Sequence, residues 1–203
     1  MTAAIPTTVE SRYRWRVVDI VVAAVVAVAC GVIFFGWNLA SDWVTDPFSA
    51  LLPGLQGLGY GVWLIGGLLT AVIVRKPGAA LFGELVAASV SALLGAQWGL
   101  LTLQSGLVQG LAAELIFLVF LYRLWSLPVA MLAGAASGLA MAINDLILWY
   151  VGADALFATV YVISCVVSGA VVAGLGSWLL TRGLARTGVL SRFAAGREGA
   201  VRV

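Results

Sequence analysis

Three carboxylates interrupt long apolar stretches of this sequence, at Glu84, Glu114 and Asp145. Glu84 lies about eight residues past Lys76, and Glu114 lies a similar distance before Arg123. At about 1.5 Å per helical residue, both glutamates are predicted near mid-depth, about 12 Å from the nearest basic boundary. An acidic side chain at the centre of a membrane costs about 2.5–3.5 kcal/mol, so such residues usually face a bundle interior or a wet cavity. The apolar stretches contain no Lys, Arg or His, and the missing cation is therefore expected to come from a ligand.

A structural role is the alternative for each of these acids. Glu84 and Glu114 would then be protonated, or would accept hydrogen bonds from Ser, Thr or backbone groups. Asp145 lies close to the predicted end of a helix, where a capping role or a place at the rim is as well supported as ligand contact.

Polar and aromatic side chains gather near the predicted outer halves of the same helices. Aromatic rings stack on flat ligands or hold a cation over the ring face, while amides and carboxylates form directional hydrogen bonds. The predicted substrate-binding residues are Glu84, Gln97, Trp98, Gln109, Glu114, Asn144, Tyr161 and Tyr60. Trp and Tyr are also typical of the membrane interface, and that interpretation is favoured for Trp43 and Trp149.

The composition predicts an integral membrane protein. Of the 203 residues, 63% are hydrophobic and 10% are charged, which leaves too little polar surface for a soluble domain of this size. The absence of histidine disfavours the usual metal centres and Ser-His catalysis. We therefore expect no metal, no cofactor, no enzymatic activity and no nucleic-acid partner. Cys30 and Cys165 lie within apolar runs and are interpreted as packing residues rather than as a disulfide.

Turn residues divide the apolar runs into six predicted transmembrane helices, near 17–37, 58–74, 78–95, 104–122, 128–150 and 156–181. All Lys and Arg then fall on one side of the bilayer, so the positive-inside rule places both termini in the cytoplasm. The predicted fold is an all-α multi-pass bundle in the cell membrane. Its domains are a cytoplasmic tail at 1–14, a substrate-binding membrane domain at 15–183 and a basic cytoplasmic tail at 184–203. The external connection at 38–57 is expected to form a short interfacial helix, a lid or an ordinary loop at the headgroups.

Small residues recur at every fourth position in two predicted helices. They are Ala23, Ala27 and Gly31 in the first helix, and Gly134 and Gly138 in the fifth. This spacing lets helix backbones approach closely in lipid. Packing inside the bundle is favoured for the second pair, whereas the first stripe either packs internally or faces another subunit.

Four motifs carry a family resemblance: Trp15 with Val18-Asp19-Ile20, Arg75–Ala80 leading to Glu84, Gln109-Gly110 with Glu114 and Phe117, and Tyr122–Trp125. Over residues 15 to about 180, the chain resembles the YkoE family, the substrate-specificity (S) components of energy-coupling-factor (ECF) vitamin importers. The resemblance implies a six-helix S-component bundle that binds thiamine or its hydroxymethylpyrimidine precursor. The implied partners are a transmembrane coupling (T) subunit and cytoplasmic ATP-binding subunits. The resemblance also implies that the stripe Ala23, Ala27 and Gly31 forms the interface with the coupling subunit.

The leading predicted function is therefore the ligand-binding subunit of an ABC importer. The chain lacks the glycine-rich Gly-Lys-Ser/Thr loop of ATPases, so partners would hydrolyse the ATP. The alternative is a stand-alone secondary transporter of organic cations that cycles its membrane glutamates between protonated and ligand-bound forms. The sequence shows no obvious repeated half, which weakens that alternative.

Overall fold

The computed structural model describes residues 13–196, and every regular element in that range is helical. The main helices are α1 Val17–Leu51, the 3₁₀ helix η1 Leu55–Leu64, α2 Ile65–Val74, α3 Ala79–Leu93, α4 Leu101–Val119, α5 Leu127–Leu148, α6 Ala155–Ser168 and α7 Gly176–Arg186. A π-helical segment, Gly169–Leu175, joins α6 to α7 without a break. The all-helical fold class predicted from the sequence is confirmed for this part of the chain.

Five helical stretches within residues 13–196 are long and apolar enough to cross a membrane. They are Val17–Leu51, Leu55–Val74, Leu101–Val119, Leu127–Leu148 and Ala155–Arg186. The remaining helix, α3, is apolar but has 15 residues, which is about 22 Å of helix against a hydrocarbon core of about 30 Å. The structure thus contains five long helices and one shorter helix where the sequence predicts six spans.

The first helix is much longer than predicted, because α1 runs through 35 residues, or about 52 Å. The predicted connection at 38–57 is wrong for most of its length. Polar residues and Pro47 resemble a helix end, yet Pro47 lies inside α1. Ser41 and Thr45 are buried, and Thr45 packs against Gly59 of η1. This tertiary packing overrides the local preference for a break.

The two ends of the bundle differ in composition. The end with the turns 75–78 and 120–126 is named the hairpin end. The opposite end, with the turns 52–54, 94–100 and 149–154, is named the cavity end because a cavity lies among the helices there. The described basic residues belong to the hairpin end or to the segments next to it: Arg14, Arg16, Arg75, Lys76, Arg123, Arg182, Arg186 and Arg192. The start of α1 joins this end because the Trp15 Nε1–H donates to the carbonyl oxygen of Pro77 at 2.9 Å.

Glycines on both neighbours hold α3 between α2 and α4. A Cβ added to Gly67 of α2 would lie 2.8 Å from the carbonyl oxygen of Ala80. A Cβ added to Gly106 of α4 would lie 2.6 Å from the Cβ of Ala88. These backbones therefore approach more closely than a larger residue would allow. As a result, Glu84 in the middle of α3 faces the interior of the bundle.

The small-residue stripe of α1 packs inside the chain. Ala23 and Ala27 are fully buried, and a Cβ on Gly31 would lie 2.7 Å from the carbonyl oxygen of Ala87 on α3. The stripe is thus a contact between α1 and α3 in this structure. The expectation that this stripe forms the interface with a coupling subunit is therefore corrected. The stripe packs internally, which is the alternative that the spacing of its residues left open.

The second glycine pair and both cysteines also pack internally. A Cβ on Gly134 or on Gly138 would overlap the carbonyl oxygen of Gly169 or of Cys165, respectively. Cys165 and Cys30 are buried and their thiols are free. Internal packing of the glycine pair is confirmed, as is the interpretation of the cysteines as packing residues.

Large apolar side chains cover the outer surfaces of α1 and α4. The exposed ones include Val21, Val25, Val28, Val32, Leu107, Leu111, Leu115 and Leu118. Apolar surfaces of this extent are not stable in water, whereas lipid tails cover them without cost. The structure is therefore that of a multi-pass membrane protein.

Candidate functional site

A cavity of about 300 Å³ lies among the helices at the cavity end. Residues from α1, η1, α3, α4, α5 and α6 line it, together with two residues of the turn at 94–100 and two of the turn at 149–154. Because so many elements meet here, the position of each wall depends on the packing of the whole bundle.

Glu84, on α3, contributes a carboxylate to the cavity lining, and this residue is only 2% exposed. One carboxylate oxygen, Oε2, accepts a hydrogen bond from the backbone N–H of Gly67 at 2.6 Å. Gly67 lies in the first turn of α2, where backbone N–H groups are short of partners within the helix. Among residues 13–196, no group donates to the other oxygen, Oε1, which is also buried. Leaving such an oxygen without a donor costs about 1–3 kcal/mol, so Oε1 is suited to accept from a ligand.

Aromatic rings form a continuous wall of the cavity. The Tyr60 and Trp63 rings lie 5.0 Å apart, and the Trp63 and Trp98 rings lie 5.4 Å apart, both edge to face. On the other side, Tyr161 contacts Tyr60 at 5.9 Å and Tyr150 at 5.1 Å. Edge-to-face contacts hold each ring in a fixed orientation. The wall can therefore present ring faces to a flat or cationic ligand.

Hydrogen bonds fix the polar groups beside this wall. The Tyr161 hydroxyl donates to Oδ2 of Asp145 at 2.7 Å. Asn38 of α1 accepts from the Trp63 Nε1–H at 2.7 Å and donates to the Ser91 hydroxyl at 3.1 Å. Asn38 thus joins α1, η1 and α3 at the cavity.

The charges of the lining favour a cation. Asp42, Glu84 and Asp145 are among the lining residues, and within the described part of the chain the lining includes no Lys or Arg. A cavity lined by charges of one sign concentrates ligands of the opposite sign. The site is thus suited to a small, flat, positively charged ligand with hydrogen-bond donors.

Six of the eight predicted substrate-binding residues line the cavity: Glu84, Gln97, Trp98, Gln109, Tyr161 and Tyr60. Trp149, interpreted from the sequence as an interfacial residue, also lines it, whereas Trp43 is 85% exposed on the outer surface. The structure therefore brings together residues spread over about a hundred positions of the sequence.

Glu114 lies outside the lining because backbone amides occupy its carboxylate. Its Oε1 accepts from the N–H of Gly78 at 2.5 Å, and its Oε2 accepts from Ala80 at 2.9 Å and Leu81 at 3.3 Å. Burial raises the pKa of the nearby Tyr122, as do the hydrogen bond and the charge of Glu114. Glu114 is thus at the hairpin end, and its predicted place near mid-depth is corrected.

Asn144 also lies outside the lining. Its Oδ1 accepts from the Gln104 side chain at 3.2 Å, and its Nδ2 donates to the Ser105 hydroxyl at 3.3 Å. The amide therefore bridges α5 and α4, and Ser105 rather than Asn144 reaches the cavity. The expectation of ligand contact at Asn144 is corrected to this bridging role.

Sequence reasoning missed several lining residues, notably Asn38 and Asp42 of α1 and Ser91 of α3. The first two were assigned to an external connection because the predicted helix ended at 37. Their spacing of four residues, which places both on one face of a helix, is the signal that could have found them. Ser91 resembles many small packing residues and gives no such signal.

The chain was compared with protein families, curated proteins and solved structures. A family model described as "ABC-type cobalt transport system, permease component" matches residues 18–140. A Bacillus subtilis (strain 168) protein named "Putative HMP/thiamine permease protein YkoE" is 36% identical over 190 residues, which cover 91% of this chain and 92% of that protein. A crystal structure of an S-component of an ECF transporter is 34% identical, with a TM-score of 0.85, covering 93% of this chain and 95% of that chain.

Proposed function

Because this chain belongs to the YkoE family of ECF transporter S components, we propose that it binds thiamine or hydroxymethylpyrimidine in the cavity at Glu84. The observation that carries the proposal is the buried Oε1 of Glu84, which has no donor within residues 13–196. Thiamine and hydroxymethylpyrimidine both carry an aminopyrimidine ring, and its amino group is a hydrogen-bond donor. A charge-assisted hydrogen bond from that group would satisfy the oxygen.

The remaining walls suit the rest of the ligand. We assign ring stacking to Tyr60, Trp98 and Tyr161, and hydrogen bonding to Gln97 and Gln109, which all line the cavity. The permanent positive charge of thiamine is favoured by aromatic faces and nearby acids. A volume of about 300 Å³ lies at the lower limit of pockets for small molecules, which are roughly 300–1,000 Å³.

A vitamin is a better cargo for this chain than the metal ion in the description of the matching family model. Sites for cobalt are built from imidazole, thiolate or carboxylate ligands. The sequence has no histidine, and no three Cys, Asp or Glu side chains of the described residues come together as a metal site. Aromatic rings and neutral polar side chains form most of the walls instead.

Transport would require partner proteins. The only lysine of the chain, Lys76, precedes proline, so the sequence has no ATP-binding loop of the Walker type. We assign ATP hydrolysis to cytoplasmic ATP-binding subunits and force transmission to a transmembrane coupling subunit. The positive-inside rule supports a cytoplasmic hairpin end, with both termini on the same side and the cavity opening outward.

The direct test is a titration of the purified protein in detergent with thiamine and with hydroxymethylpyrimidine, without ATP. We expect saturable heat for at least one compound. Tryptophan fluorescence should change as well, because Trp63 and Trp98 line the cavity. Riboflavin serves as a control of similar aromatic character but larger size. If folded protein binds neither compound, the vitamin assignment is wrong.

A transport assay separates this function from a stand-alone transporter of organic cations. Liposomes that contain the protein alone should bind labelled thiamine without accumulating it under a proton or sodium gradient. Liposomes with the coupling and ATP-binding subunits should accumulate it when ATP is present. Gradient-driven accumulation by the protein alone would favour the secondary transporter.

A further inference from the structure

We propose that Glu114 is a positioning residue for ligand binding, which fixes the start of α3 and thereby holds the Glu84 carboxylate at the cavity. This inference rests on the proposed function, in which Glu84 contacts the ligand. It assigns no ligand contact to Glu114, whose oxygens are occupied by the protein.

The first observation is that α3 has no side-chain cap of its own. Its N-cap is Gly78, which has a positive φ of 83° and offers no acceptor. The first N–H groups of a helix lack partners within the helix. Glu114 of α4 supplies both of its oxygens to the N–H groups of Gly78, Ala80 and Leu81. A single carboxylate from the neighbouring helix therefore satisfies the start of α3.

The second observation is the regular pairing of α3 with α4. Glu114 meets Ala80, and Gly110 lies one turn earlier on α4, where a Cβ would be 3.0 Å from the Cβ of Glu84. One turn further, Gly106 packs against Ala88. Glu84 is thus four residues from the hydrogen-bonded Ala80, about 6 Å along the helix. Any shift of the start of α3 along α4 moves Glu84 by a similar distance.

The third observation is that the Glu84 contact tolerates little movement. Its Oε2 is 2.6 Å from the nitrogen of Gly67, and hydrogen bonds weaken steeply when distance or angle changes. Gly67 belongs to α2, and a Cβ there would lie 3.1 Å from the Cβ of Glu84, so α2 and α4 flank the same residue of α3. The Glu114 bonds tie α3 to α4 and the Gly67 bond ties it to α2, so the loss of the first is expected to loosen the second.

Amide hydrogen exchange tests the inference without any ligand. Glu114→Gln keeps the size of the side chain and removes its charge. We expect faster exchange at residues 78–81 and also at the Gly67 amide. The matched control is Asp154→Asn, which makes the same loss of charge at a carboxylate that caps its own helix, since the Oδ1 of Asp154 accepts from the N–H of Phe157 at the start of α6. The control should leave Gly67 unchanged, with at most a small change near Phe157, because asparagine caps a helix about as well as aspartate. Unchanged exchange at Gly67 in Glu114→Gln would overturn the inference.

Calorimetry with thiamine tests the consequence for binding through a double-mutant cycle with Glu84→Gln. In the parent background, Glu114→Gln should weaken binding about fivefold, since it removes charge-assisted bonds that hold α3. In the Glu84→Gln background it should cause little further loss, because the group that it positions is already changed. A purely structural role predicts the same loss in both backgrounds, and that result would contradict the inference.

The outcomes distinguish this inference from the proposed function. Parent protein that binds neither thiamine nor hydroxymethylpyrimidine refutes the proposed function, and exchange at Gly67 still decides whether Glu114 positions α3. Parent-like affinity in Glu114→Gln refutes the positioning role and leaves the proposed function intact. If Glu114→Gln does not fold, Glu114→Asp takes its place, since it keeps the charge but is one methylene too short for all three bonds. Parent-like exchange and affinity in that variant would count against positioning.

Discussion

Replacement of Glu84 with glutamine removes the charge of the side chain and preserves its size. The carboxylate accepts from Gly67 through Oε2 at 2.6 Å, while Oε1 is buried with no donor from residues 13–196. The glutamine carbonyl oxygen can keep the Gly67 bond, and its amide nitrogen then takes the place of Oε1. At the buried position of Oε1, beside the cavity that Glu84 lines, a donor would then stand in place of an acceptor. The amino group of an aminopyrimidine, itself a donor, would meet another donor.

The expected loss follows from that change. One charge-assisted hydrogen bond contributes about 1.5–3 kcal/mol, so Glu84→Gln should weaken thiamine binding by about 10- to 150-fold. The loss should exceed that caused by Glu114→Gln, because Glu114 lies outside the cavity lining. The thermal stability of the variant without ligand should be higher than that of the parent or equal to it. The reason is that the substitution removes a buried charge, while the bond to Gly67 can persist.

Two measurements together test this reasoning. Calorimetry gives the affinity of each variant, and thermal unfolding without ligand gives its stability. Oxythiamine, which carries an oxygen in place of the pyrimidine amino group, gives a matched chemical control. It should bind the parent less well than thiamine does, and the difference should shrink or reverse in Glu84→Gln. Parent-like affinity for thiamine in the variant would return Glu84 to a structural role, as would a large loss of thermal stability in the absence of ligand.

Two further substitutions test the packing that shapes the site. Ala27→Leu adds volume to a fully buried position and should lower the free energy of unfolding by about 1–3 kcal/mol. The melting temperature and the affinity for thiamine should then fall together. A variant that stays stable and binds ligand, but no longer co-purifies with coupling subunits, would favour a docking surface. Gly138→Ala places a Cβ against the carbonyl oxygen of Cys165 and should also lower the melting temperature. Its control is Gly36→Ala, because nothing lies within 4 Å of a Cβ there, and equal melting temperatures for the two glycine variants would contradict the packing argument.

The all-helical membrane fold could be predicted because hydropathy and charge act locally along the chain. Apolar runs must be helical in lipid, where every backbone group needs a partner within its own segment. The length of α1 could not be predicted in this way. Pro47 and the polar residues near it favour a break, and only the burial of Ser41 and Thr45 in the folded bundle keeps the helix continuous. Tertiary contacts between distant segments carry information that no local pattern contains.

The two buried glutamates, of which only Glu84 lines the cavity, show the same limit of local sequence patterns. Glu84 and Glu114 have the same chemistry, and each is flanked by apolar residues, so the sequence predicts ligand contact for both. Their roles differ because they meet different parts of neighbouring helices. Glu114 meets the first turn of α3, where three N–H groups are available and both oxygens are satisfied.

Glu84 packs beside α2 at a point where only the Gly67 amide reaches it, and its second oxygen is left for another donor. Within a helix, N–H groups past the first turn already bond to the carbonyl four residues earlier. A buried carboxylate that meets several free N–H groups of a helix start, as Glu114 does, is satisfied as a cap. Glu84 meets the single N–H of Gly67 in the first turn of α2, so its second oxygen needs a donor from elsewhere. The number of free N–H groups that a glutamate meets depends on how antiparallel helices are offset along their axes, and in this chain the glycines of α2 and α4 set that offset.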